Sequence, residues 1–159
     1  MFKERAAGGS RAATTAARLS AATAIGYAVV GLVAHFATPA ADRYDLLATP
    51  EPVIGPAMAI VGSVLLGRVP GHRVLQVMTL IGCFACVFAG SVGLAVYGFS
   101  SSEDPALVFR IAAWLTLWTW VPSFVSFATL LPLVFPDGWL LSRRWRPVAI
   151  TAVALIVTM

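Results

Sequence analysis

Long apolar runs alternate with short charged connections along the chain. The runs are Leu19–Thr38, Pro52–Gly67, Val74–Gly98, Ala106–Phe135 and Pro147–Met159. A membrane-spanning helix needs about 20 predominantly apolar residues. The first, third and fourth runs meet that length. The fourth leaves room for tilt, and its Arg110 sits one turn inside, where a long side chain can snorkel to the interface. The second run is shorter and opens on PVIGP, which predicts a thinner crossing. The fifth is too short to finish one. Alternating strand patterns are absent, which argues against a β-barrel. In lipid every backbone amide needs an internal partner, so the runs should be helices. The expected fold is all-α: an integral membrane helical bundle with four full transmembrane helices and an incomplete fifth. A flexible basic tail over residues 1–18 should precede them. TPAAD, which contains Pro39, is a poor cleavage site, so the first helix should be retained.

Composition agrees with this pattern. The chain of 159 residues is 59% hydrophobic and 11% charged, with a mean hydropathy of +0.86. Soluble domains are about 45–50% apolar and about 25% charged. The length corresponds to one domain. The two cysteines cannot build a secreted-type disulfide framework.

Charge adds an orientation. Lys3, Arg5, Arg11 and Arg18 precede the first run, Arg68 and Arg73 lie between the second and third, and Arg143, Arg144 and Arg146 lie between the fourth and fifth. These segments hold nine of the 11 Lys and Arg residues. The intervening loops carry Asp42, Asp45, Glu51, Glu103 and Asp104. The positive-inside rule therefore predicts a cell-membrane protein with a cytoplasmic N-terminus. Topology accounts for the basic residues without nucleic acid. The bilayer itself is the expected partner.

Catalytic chemistry is sparse. The five runs contain no Asp or Glu, which argues against an intramembrane proton relay. No phosphate-cradling glycine loop, nucleophile elbow or zinc-ligand pair is present, so no catalytic residue, metal or cofactor is expected. Cys83 and Cys86 form a C-x-x-C. Such pairs act in redox chemistry where a helix N-terminus stabilises the thiolate, whereas mid-membrane burial disfavours it. Gly82, Cys86 and Gly90 lie four apart, with Ala85, Ala89 and Gly93 beside them. Small residues at that spacing let helices approach closely, within the chain or in a homodimer.

Two further features remain. Trp114 and Trp118 are one turn apart, with Trp120, Phe124 and Phe127 following. They fit an aromatic belt, or the wall of a pocket for a lipophilic ligand of unknown identity. Pro122 should kink their helix and free a carbonyl. Pro136-Asp137-Gly138 is turn chemistry, followed by Arg143, Arg144 and Arg146 at headgroup level, with Trp139 and Trp145. Pro147 suits the first turn of the next helix. The whole reads as a tight cytoplasmic hairpin pinned to an anionic surface.

LVFPDGWLLSRRWRPVA resembles a stretch in the multi-span N-terminal regions of actinobacterial two-component sensor histidine kinases. LLGRVPGHRVLQVMTLIG (Leu65–Gly82) is similar to their hairpin between the second and third spans. AAWLTLWTWVPSF (Ala112–Phe124) is similar to their Trp-rich fourth span. The resemblance covers residues 20–159 and departs at Trp139, Leu141 and Gln76. It implies a membrane sensor module whose signal passes by shifts between packed helices. A dimerisation helix with a phospho-accepting His and an ATP-binding domain would follow in such a kinase. Neither His35 nor His72 is placed to be that phosphoacceptor, so this stretch alone should not transfer phosphate. The alternatives are a free-standing small membrane protein acting as a binding or accessory subunit, and a membrane thiol redox protein using Cys83 and Cys86.

Overall fold

The computed structural model describes residues 2–45, 50–136, 138 and 142–158, with backbone alone at 2–11 and 143. Among these residues all regular structure is helical. The elements are α1 (Phe2–Ala37), α2 (Glu51–Leu66), α3 (Arg73–Ser101), α4 (Leu107–Val125), a π-helical turn (Ser126–Leu130), α5 (Leu131–Val134), a 3-10 turn (Arg143–Trp145) and α6 (Arg146–Thr158). Three stretches are long and apolar enough to cross a membrane: Ala12–Ala37, Arg73–Ser101 and Leu107–Val134. They support an integral membrane protein. α2 and α6 are shorter apolar helices.

The packing reverses the soluble pattern. Large apolar side chains face outward, among them Val33, Val53, Leu117 and Phe124, each more than 60% exposed. Small residues face inward. α3 is central and packs against α1, α2 and α4, and its buried positions include Gly82, Ala85, Cys86, Gly90, Ser91 and Gly93. Lipid tails are as apolar as Leu, so burying large side chains gains little there. Close backbone approach and van der Waals contact hold the helices instead. A side chain on Gly31 would collide with the backbone of Gly90, and one on Gly82 with Ala59. The Gly82–Cys86–Gly90 row is thus occupied inside the chain, by α2 at its lower end and α1 at its upper end.

Several hydroxyls inside the bundle are paired, as an apolar setting favours. Tyr27 Oη and Ser91 Oγ are 3.1 Å apart across α1 and α3. Ser123 Oγ donates to the Ile81 carbonyl at 3.4 Å, tying α4 to α3. Thr79 and Thr119 donate to the Leu75 and Leu115 carbonyls one turn back, each at 2.8 Å.

Two expectations shift. Residues 2–18, read from sequence as a flexible tail, continue α1 to Phe2; Ala is the strongest helix former, and this stretch is rich in it. α2, read as a thin full crossing, pairs with α3 so that Gly62 meets Thr79, Ala59 meets Gly82, and Gly55 meets Ala85 and Cys86. Its first turn therefore lies beside the middle of α3. From Arg73 to Ala85 is about 18 Å of helix, and from Ala85 to Ser101 about 24 Å. α2 spans only the half of α3 nearer Arg73.

Candidate functional site

The register gathers the basic segments at one end of the bundle. Arg18 reaches the C-terminal end of α2, beside Gly67, where a cation complements the last carbonyls. Gly138 packs against Arg73. Both turns at this end use glycine in the left-handed region, Gly71 at φ 82° and Gly138 at φ 77°, which residues with a Cβ rarely adopt. The Gly138 N–H donates to the Val134 carbonyl at 2.7 Å, closing the turn after α5. Pro136 stands in that turn. Asp137, Trp139 and Leu141 lie outside the described residues, as does the side chain of Arg143. Arg144 and Arg146 are exposed.

A cavity of about 600 Å³ opens at this basic end. Its walls are α1 (Ala13, Thr14, Ala17, Ser20), the α2–α3 turn (Leu66, Pro70, Gly71) and α3 (Gln76, Thr79, Leu80, Cys83, Phe84, Val87). Small residues on α1 create the space; an Ala or Ser every few positions cannot fill the gap left where the α2–α3 turn ends. The lining is apolar with a few hydroxyl, amide and thiol groups. That is the usual make-up of a site for a small lipophilic molecule, and the volume is in the usual range of about 300–1,000 Å³.

Phe84 links the cavity to the tryptophans. Its ring meets Trp118 edge-on at 6.4 Å, and Trp118 meets Trp114 edge-on at 5.6 Å. Trp118 Nε1 is buried without a hydrogen-bond partner. Trp114 is 58% exposed. The sequence paired Trp114 with Trp118 correctly as neighbours. They stand behind the cavity, which is lined chiefly by α1 and α3. Ala13, Ala17 and Ser20 went unremarked in the sequence because small residues carry no chemical signal of their own.

Cys83 and Cys86 are both free thiols and separate in role. Cys83 lines the cavity, while Cys86 is 0% exposed against Gly55 of α2. Pro122 is fully buried within α4. It lacks the N–H that would bond the Trp118 carbonyl, and one turn later the helix loosens into the π-helical turn. Such turns recur at functional sites. Ser126, the first residue of that turn, is 0% exposed and its Oγ has no partner among the described residues. Among the described residues no group of His, Cys, Asp and Glu could hold a metal ion.

Sequence reading placed Glu51 in a loop. It is instead the first residue of α2, so the register sets an acidic side chain near mid-height of the bundle. Glu51 thus stands beside the middle of α3 rather than in a loop at its end. The missed signal was the pair of prolines around Glu51, Pro50 and Pro52, which suits the first turn of a helix and so includes Glu51 in α2. Beyond α1 the chain folds back: Arg43 donates from Nε to the Thr38 carbonyl at 2.8 Å and from Nη2 to the Phe36 carbonyl at 2.6 Å. Tyr44 packs edge-on to His35 at 4.7 Å and shares a small cavity with Ile25, Pro52 and Ala89. Residues 43 and 44 thus turn back onto the end of α1.

Comparison with family models, with curated proteins and with solved structures finds no match to the chain.

Proposed function

We propose that the chain is a multi-pass membrane sensor module that takes up a lipophilic ligand in the cavity at its basic end. The observation that carries this is the 600 Å³ cavity between α1, the α2–α3 turn and α3. Occupancy there would press on the contact between α1 and α3, and a packed interface responds to such pressure by shifting between discrete arrangements. α1, α3 and α4 cross the bilayer. α2 packs along the cytoplasmic half of α3. Gathering of Arg18, Arg68, Arg73, Arg144 and Arg146 at one end, with Glu103 and Asp104 at the other, supports a cytoplasmic N-terminus.

Ligand analysis tests the cavity. Protein purified gently from membranes is extracted and the extract identified by mass spectrometry. Wild type should retain one lipophilic compound near one per chain, and Ala17→Trp, which fills the cavity, should lose it. Identical extracts from two folded proteins would overturn the reading. The signalling part follows the resemblance to two-component sensor kinases. Its test is the reading frame beyond codon 159, which should run on into a helix bearing a phospho-accepting His and an ATP-binding domain. A stop codon there would exclude it.

A further inference from the structure

A second, smaller cavity of about 150 Å³ lies at mid-height of the bundle, between the first turn of α2 and the facing sides of α3 and α4. Glu51 lines it, together with Ile81, Ala85, Ser123, Phe124 and Phe127. Its volume is below that of a drug-sized site and equals about five water molecules at about 30 Å³ each. Glu51 Oε2 is buried and has no hydrogen-bond partner among the described residues. Among the described residues no Lys, Arg or His lines the cavity. Glu51 is half-buried at the N-terminus of α2, whose dipole favours an acidic group but supplies no full counter-charge, and acidic groups inside apolar bundles are found paired or at functional sites.

The remaining walls define what that counter-charge would be. Phe124 and Phe127 supply aromatic rings to the lining, and the face of such a ring attracts a cation through its quadrupole, most strongly when water is excluded. Ser123 spends its hydroxyl proton on the Ile81 carbonyl, so its oxygen is left as an acceptor only. Ile81 and Ala85 are apolar and cannot replace the water of a strongly hydrated metal ion. A carboxylate, two phenyl rings and an aliphatic floor suit a weakly hydrated organic cation. Phe124 and Phe127 are 63% and 48% exposed on the outer surface of the bundle, so the cavity opens sideways, toward lipid.

We infer that Glu51, Phe124 and Phe127 form a binding site for the alkylated ammonium head of an amphiphilic cation, entered from the bilayer. This site is separate from the cavity at the basic end and does not rest on the function proposed for it.

The test uses tetramethylammonium as probe and the full chain in dodecyl maltoside micelles, with empty micelles as control. Saturation transfer to the probe's methyl protons, followed over a titration, reads binding. Wild type should bind, and Glu51→Gln, which keeps the shape and removes the charge, should weaken binding at least tenfold. Phe127→Leu sits on the exposed rim, should fold whatever Glu51→Gln does, and should weaken binding severalfold. Potassium at equal concentration should not displace the probe. No binding by wild type, undiminished binding by either folded variant, or equal displacement by potassium would each overturn the inference.

Discussion

Gly31 and Gly90 touch through their backbones, and Tyr27 closes over the same point. A Cβ at Gly31 has no flexible side chain to push aside; only the helices themselves can give. Gly31→Val should therefore cost about 1–3 kcal/mol, the usual cost of overpacking. Gly26, on the same helix, has open space where a Cβ would stand. Gly26→Ala should be neutral or stabilising by up to about 1 kcal/mol. Denaturation in detergent micelles, read by circular dichroism, separates the two. The cysteines give a second residue-scale contrast. A small membrane-permeant organomercurial should modify Cys83, on the cavity wall, and spare Cys86 in the folded protein. Intact mass should show one adduct, and two at the same rate would mean that α2 does not cover Cys86. The sequence joined these thiols as a C-x-x-C, but neighbours on one helix can face different partners. One faces a cavity and one faces a glycine, a distinction that spacing alone does not encode.

At the scale of the element, α2 departs furthest from its sequence reading. Its composition is that of a span and its length is not. Hydropathy registers that a segment prefers lipid; it carries no information on how deep the segment sits. The Gly55, Ala59 and Gly62 contacts with α3 supply the depth, because helix register is set by which small residues meet. A spin label at Val53, which is 70% exposed, should report a depth near the bilayer centre, with oxygen collisions exceeding those of a water-soluble nickel chelate. Dominance of the nickel chelate would place the N-terminus of α2 at the headgroups and dissolve the mid-height position of Glu51. α4 shows the converse. Pro122 signalled an irregularity in the sequence, and the π-helical turn lies one turn beyond it. Arg110 and Asp104 pair at the start of α4. Both are largely exposed, so Arg110→Ala should cost less than about 1 kcal/mol in the same melts.

For the whole molecule, α3 is the axis and its two ends differ in charge. Basic residues cluster where α1 begins, α2 meets α3 and α5 ends; Glu103 and Asp104 lie at the far end. Single cysteines at Val69 and Ser102, in a background with Cys83 and Cys86 replaced, should label from opposite faces of sealed vesicles. Val69 should react only with reagent on the cytoplasmic side. Labelling of both from one side would break the assignment of α3 as a crossing.

The N-terminal reach of the first helix aside, helical class, the extents of the long apolar helices and the alternation of charge were legible in the chain itself. Each follows from the cost of placing unpaired amides and charges in lipid, a cost paid locally and therefore written locally. Tertiary packing alone decided how far α2 climbs beside α3, that Glu51 stands at mid-height, and that Ala13, Ala17 and Ser20 leave a cavity. Those outcomes depend on which small residues on different helices come into contact, and contact between distant segments has no signature within either one.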